Sequence, residues 1–439
     1  MTTALWPQWK EKTSGMIMPD ERLPTQQSVI AGFQHVVAMF GSTALAPLLM
    51  GFPPNVAIFF SGIATLIFFL VVQGRLPSYL GSSFAFISVV AAASGYQVGS
   101  GAPNANISVA LGGIIACGFL YFLVGLVVQL AGHRWIEKLM PPVVTGAIVA
   151  VIGLNLSTTA VSGVTGDGFK TFIGLFTVAA VGLTAVYAPG FVRRLPVLVG
   201  AIATYILYYI MANLMGYGAP IDFSGVVNAA WVGLPEFHSP TFSAKAVTLI
   251  TPVVFVLIAE NLGHIKAISA MTGQNYDSLI GRAFMADGFS TMVSGSAGGT
   301  GVTTYAENMG VMAVTRNFST FVFVIAGFVA IALGLSPKFG ALILTIPGPV
   351  IGGLSIVMFG LIAAAAGRIW VENGVDFASP RNLITVGVAL VLGAGDLTLT
   401  IGSFALGGIG TATFGTIILY HMLCGSKDEV EEFKAPKQD

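Results

Sequence analysis

The sequence predicts an all-α polytopic membrane protein of fourteen transmembrane segments, with short extended stretches breaking spans 3 and 10. Three observations predict the membrane fold. Of 439 residues, 55% are hydrophobic and 9% charged, where a soluble domain carries about 25% charged residues. Apolar runs long enough to cross a bilayer, roughly 20 residues each, succeed one another along almost the whole chain. Once those runs are counted, Lys and Arg gather on one side of the membrane.

The elements follow in order. Residues 1–27 are polar, with Lys10, Glu11, Lys12, Asp20, Glu21 and Arg22, and lack a short apolar core followed by a small-residue cleavage site. The first span is therefore expected to stay in the mature protein. Span 1 (28–50) is the first long apolar run, span 2 (54–73) starts at Pro53-Pro54 and stops at Gly74-Arg75, and span 3 (78–96) opens polar before turning apolar. Spans 4 (107–131), 5 (138–158), 6 (171–190) and 7 (195–215) are apolar runs punctuated by Gly, Pro or charge. The long loop 216–243, with Trp231, Phe237 and His238, reads as an interfacial segment. Spans 8 (244–265), 9 (279–298), 10 (302–315) and 11 (316–335) surround the most Gly-rich and polar stretch of the chain. Spans 12 (339–366), 13 (382–401) and 14 (404–424) complete the count, followed by a polar tail, 425–439.

An even count places both termini on one side, which the charges make cytoplasmic. Inner loops and tails then hold Lys10, Lys12, Arg22, Arg75, Arg134, Lys138, Arg193, Arg194, Lys266, Arg282, Arg316, Arg368, Arg381, Lys427, Lys434 and Lys437; outer ones hold Lys170, Lys245 and Lys338. Sixteen against three obeys the positive-inside bias, and merging or splitting one span would scramble it. Formal net charge is zero and the basic residues stand singly or in pairs, so nucleic acid is not an expected partner. Cys117 and Cys424 fall in separate spans, with no metal or redox spacing. A weak repeat aligns Pro142-Val143-Val144-Thr145-Gly146 through Leu154 with Pro349-Val350-Ile351-Gly352-Gly353 through Leu361, seven spans apart. An odd repeat length inverts the second copy, as in many secondary transporters, although small residues also recur in packed membrane helices by chance.

Carboxylates inside apolar spans mark a pathway or a binding site. Glu260 ends a long apolar run, and His264, four residues on, shares its helical face; an acid and an imidazole at that spacing can share and pass a proton. The plainer reading is an interhelical hydrogen bond near the cytoplasmic end. Ser294 to Gly310 runs from Gly-rich sequence through a β-branched stretch into a short helix that carries Glu307, and so reads as a broken span. Pro77 to Ile87 is its counterpart in the first half. Two interrupted spans, one in each half, point to a transport site, where half-helix N-termini offer backbone N–H groups to a ligand and Glu307 accepts from it; the alternative is a Gly-rich packing turn. Phe84, Phe86 and Tyr305 can stack on a flat ligand or simply pack. Asp287 is intramembrane without an obvious partner and reads as structural. No phosphate loop, hydrolase nucleophile motif or metal-ligand cluster occurs, so neither an enzyme nor a cofactor or metal is expected.

These residues resemble the nucleobase–ascorbate transporter family, and within it the uracil permease branch. The resemblance runs from Gln34-His35-Val36-Val37-Ala38-Met39-Phe40-Gly41 to the last spans. The family signature, Gln or Glu, then Asn, any residue, Gly, four residues and Thr, stands here as Glu307-Asn308-Met309-Gly310 with Thr315. Tyr79 to Ser88 and Ala259-Glu260-Asn261-Leu262-Gly263-His264 look like spans 3 and 8 of bacterial uracil permeases.

The resemblance implies fourteen spans in two inverted repeats of seven, divided into a core domain (28–131 and 244–335) and a gate domain (132–243 and 336–424), with the paired strands in spans 3 and 10. It implies that Glu260 and Glu307 hold the base, that Phe84, Tyr305 and Ala306 line it, and that Glu260 and His264 couple transport to a proton. His35, Asn308 and Asp287 would support that site. It further implies uracil, and possible further pyrimidine bases such as thymine, as substrate, H⁺ as the coupling ion, a homodimer through the gate domain, and a bacterial inner membrane. One position departs from the pattern, because uracil permeases often have Gly where this chain has Ala306. A purine permease for xanthine or urate is the rival on the same fold; its signature usually opens with Gln, so Glu307 favours pyrimidines. An anion transporter is disfavoured by intramembrane carboxylates without an opposing Lys or Arg.

Overall fold

A computed structural model describes residues 7–190, 192–401 and 404–423. Cys424, Lys427, Lys434 and Lys437, with the end of span 14 and the tail 425–439, lie outside the described residues, as do residues 1–6 and 402–403.

The chain opens with β1 (Lys10–Glu11) and β2 (Glu21–Arg22), a short parallel pair. This part of the expected tail is folded: Ile17 bridges to Asn317, and Trp9 donates to Thr320 at 3.0 Å. Then come α1 (Thr25–Met50), α2 (Pro54–Val71), β3 (Leu80–Ser82), one 3₁₀ turn (Phe84–Phe86), α3 (Ile87–Ser94) and α4 (Ile107–Ala131). The next group is α5 (Arg134–Leu139), α6 (Pro142–Asn155), α7 (Ser157–Val164), α8 (Gly168–Tyr187), α9 (Pro196–Tyr209) and the single turn α10 (Ser224–Asn228). It is followed by α11 (Ala244–Ile250), α12 (Val253–Thr272), α13 (Ile280–Gly295), β4 (Val302–Thr304), α14 (Ala306–Thr315) and α15 (Thr320–Gly334). The chain continues with α16 (Pro337–Leu344), α17 (Gly348–Glu372), α18 (Pro380–Ala394), β5 (Leu399–Ile401), β6 (Phe404–Leu406) and α19 (Gly408–Met422).

Eight of the described helical stretches are long and apolar enough to cross a membrane, and α15 with α16, bent by 80°, makes a ninth. Shorter helices and broken segments account for the other apolar runs. Four expected spans differ in detail. Span 12 is not continuous from 339 to 366: α16 ends at Leu344 and α17 starts at Gly348, because Pro347 disfavours helix in the residue before it and lacks the N–H that would extend α16. Span 5 is likewise divided at Met140-Pro141, leaving α5 apart from α6. Spans 13 and 14 meet in an antiparallel hairpin, β5 with β6, since Gly393, Gly395 and Asp396 (φ 50°) end the helix and a β-branched run follows.

Backbone approaches set the packing. On α4, Gly118 and Gly125 lie seven residues apart, as do Gly281 and Gly288 on α13. A Cβ at Gly288 would come within 2.4 Å of Phe122 N and 2.6 Å of Gly118 O. Small residues at both helix surfaces are what allow two membrane helices to pack backbone to backbone. At the centre, β3 pairs antiparallel with β4 in the register Leu80 with Thr304, Gly81 with Thr303 and Ser82 with Val302. The two expected breaks therefore satisfy each other's backbone groups, as non-helical chain at membrane depth requires.

Candidate substrate-binding site

The pairing of β3 with β4 brings two helix starts to one place. The 3₁₀ turn begins at Phe84, where Ser83 Oγ accepts from Ala85 N at 3.3 Å, and α14 begins at Ala306 with no side-chain cap. The first N–H groups of a helix have no partner inside it, so both starts offer donors. Beside them opens a cavity of about 890 Å³. One wall comes from α1 (Val37, Ala38, Gly41), from Ser82 to Phe84, from Glu260 on α12, and from Thr303, Tyr305, Ala306 and Glu307 with Gly310, Val311 and Val314 of α14. The other wall comes from α17 (Met358, Leu361, Ile362, Ala365) and the turn between α8 and α9, including Arg193 and Arg194. On α17 the spacing is three or four residues, one face of a helix.

Glu260, Phe84, Tyr305, Ala306 and Glu307, five positions the sequence singles out, share this cavity. Glu260 accepts from Thr303 Oγ1 at 3.3 Å, and Glu307 accepts from Ser42 Oγ on α1. His264 lies on the same face of α12, but the described hydrogen bonds do not join it to Glu260. Its Nδ1 pairs instead with Thr304 Oγ1 at 2.7 Å, so acid and imidazole are linked through successive threonines of β4. Tyr305 is held by its hydroxyl, which accepts from Thr43 at 3.1 Å and donates to Ser82 O at 2.9 Å; its ring lines the cavity while its oxygen ties α1 to β3. Phe84 meets Phe359 of α17 edge-on at 5.7 Å. Phe86 does not reach the cavity: it is fully buried, and a Cβ at Gly301 would come within 2.3 Å of its ring.

The supporting positions lie behind the wall. Asn308 Nδ2 donates to His35 Nδ1 and to His35 O, both at 3.0 Å, pinning α14 to α1. Asp287 has the partner that sequence spacing did not reveal: Asn261 Nδ2 donates to it and, at 3.1 Å, to the Tyr121 hydroxyl, which donates to Leu257 O at 3.2 Å. This knot joins α4, α12 and α13, and none of its three side chains lines the cavity. Sequence reasoning missed Ser42, Thr43, Thr303 and Thr304, since a hydroxyl in an apolar helix or a β-branched run carries no distinguishing pattern. It also placed Arg193 and Arg194 only as loop charges.

A sequence profile of the Permease family matches residues 26–402. The chain belongs to that family. It is 57% identical over 422 residues to the putative pyrimidine permease RutG of Escherichia coli (strain K12), covering 95% of each chain. It is 37% identical to the uracil permease of Paenibacillus larvae subsp. larvae, over 92% of this chain and 96% of that one, and 38% identical to the uracil permease of Escherichia coli (strain K12), over 90% of both. The resemblance drawn from the signature at Glu307 is thereby established. Among solved structures, the transmembrane domain of the cyanobacterial bicarbonate transporter BicA superposes with a TM-score of 0.64 at 17% identity, over 84% of this chain and 95% of that one. The murine Slc26a9 anion transporter in its inward-facing state gives 0.62 at 13% identity, over 94% of this chain and 69% of that one. At such identities the likeness is one of fold, that of polytopic helical transporters.

Proposed function

We propose that the protein imports uracil, and related pyrimidine bases such as thymine, by proton symport with alternating access. The observation that carries the reading is the meeting, in one cavity, of two carboxylates and two helix N-termini, in a chain whose relatives include named uracil permeases. Uracil has two N–H donors and two carbonyl acceptors. Glu260 and Glu307 accept from the N–H groups, while backbone N–H at Phe84 and Ala306 serves the carbonyls, so the polar edge is satisfied. An analogue that leaves one buried partner unpaired loses about 1–3 kcal/mol. The Ala306 methyl narrows the pocket relative to the glycine frequent in uracil permeases.

Uracil is neutral near pH 7, so coupling to a proton gradient requires a titrating protein group. Glu260 fills that role, with His264 reached through Thr303 and Thr304. Alternating access is supported by the two walls, which belong to the expected core (28–131, 244–335) and gate (132–243, 336–424) domains. Arg193 and Arg194 are among the residues lining the cavity, and the charge bias would put their turn on the cytoplasmic side. The antiparallel crossing of β3 and β4 supports fourteen spans in two inverted repeats of seven, and so does the packing of α6 on α17, whose starts are the aligned repeat segments. The same reading places both termini in the cytoplasm of a bacterium, with a homodimer formed through the gate domain in the inner membrane.

Uptake of labelled uracil by cells expressing the protein, against excess thymine, xanthine, hypoxanthine and urate, tests the substrate. Competition by thymine and none by xanthine is expected; strong competition by xanthine without thymine would replace this reading with a purine permease.

A further inference from the structure

Behind Glu307 stands a residue that neither the signature nor the fold accounts for. Ser42 lies on α1, one position beyond the cavity-lining Gly41, and is 1% exposed. Its Oγ donates to Glu307 Oε1. Its neighbour Thr43, also buried, donates to the Tyr305 hydroxyl at 3.1 Å. Successive residues of α1 thus grip the two residues that flank Ala306. α1 is in turn tied to α14 by the two bonds from Asn308 to His35, one to its ring nitrogen and one to its backbone carbonyl. The start of α14 is consequently braced from α1 at three points, and only one of them, Ser42, touches a carboxylate of the cavity.

A carboxyl group turns freely about its last torsion, which is broad and roughly two-fold, and each oxygen can accept more than one hydrogen bond. Engaging Oε1 with a buried hydroxyl removes that freedom and leaves Oε2 to the ligand. We propose that Ser42 is a positioning residue that sets specificity: by holding one oxygen of Glu307 it fixes the carboxyl plane, so that the other accepts an N–H from a flat, imide-like base. The inference deepens the uracil reading and rests on it. Without the hydroxyl, Glu307 must order itself when the ligand arrives, a cost that falls on binding and weighs less on later steps.

The test compares labelled uracil uptake by the parent, Ser42→Ala and Ser42→Cys at matched amounts in the membrane, together with uracil binding to each purified protein. Ser42→Ala is expected to raise KM and Kd about tenfold, with a much smaller change in maximal rate, the consequence of one lost hydrogen bond to a charged group. Ser42→Cys, which keeps a weak donor in a similar volume, is expected to fall between the two. An unchanged KM and Kd in Ser42→Ala overturns the inference, as does a fall in maximal rate alone. Should Ser42→Ala not accumulate in the membrane, Ser42→Cys decides: a KM equal to the parent's overturns the proposal, and a raised one supports it. A parent that takes up no uracil defeats the underlying reading instead, so the two failures are distinct.

Discussion

At the scale of the residue, α12 separates two tasks along one turn. Glu260 and His264 face β4, where Thr303 and Thr304 receive them, while Asn261, about 100° further round the helix, enters the knot with Asp287 and Tyr121. An acid that carries the coupled proton cannot be replaced by an amide, although an amide of the same shape can still hydrogen-bond a base. Glu260→Gln is therefore expected to retain uracil binding within about tenfold, the scale of one altered hydrogen bond, while losing accumulation driven by an acidic exterior. Uptake by energised cells with and without a protonophore checks this; accumulation that remains gradient-dependent in the variant would reassign the proton. Glu260 and Glu307 were legible in the sequence because a carboxylate in an apolar span is costly and thus conspicuous. Ser42 was not, because a serine in a membrane helix more often caps its own backbone, as Ser94 does by donating to Val90 O at 2.8 Å.

At the scale of the element, the broken spans could be foreseen from their composition, since glycines followed by Val302-Thr303-Thr304 favour extended chain over helix. What composition could not supply was the partner strand and its register, which depend on two segments more than two hundred residues apart in the chain meeting edge to edge. The division of span 12 was hidden for a different reason. Thr345-Ile346-Pro347 is uncharged and short between apolar runs, so hydropathy averaged over a span runs through it, while the helical backbone cannot. The crossing of α4 and α13 supports a direct prediction. Gly288→Leu would place carbon atoms against Phe122 N and Gly118 O, and overpacking of this kind costs about 1–3 kcal/mol or more. The variant is expected to give less folded protein and a lower melting temperature in detergent. A melting temperature equal to the parent's would show that the two helices separate freely.

At the scale of the molecule, the proposed orientation rests on charge. The cavity that holds both carboxylates reaches the turn with Arg193 and Arg194, and these belong to the sixteen basic residues the span count assigns to the cytoplasm. The edge-on contact of Phe84 with Phe359 joins the two walls of that cavity. The central claim is that movement of the neutral base is bound to movement of a proton. It is tested most directly with purified protein in liposomes, by following labelled uracil while only the pH difference is varied. With an acidic exterior, internal uracil is predicted to rise above its external concentration and to fall back when a protonophore is added. Uracil that enters only to equilibrium, at the same rate with and without the pH difference, would contradict the account.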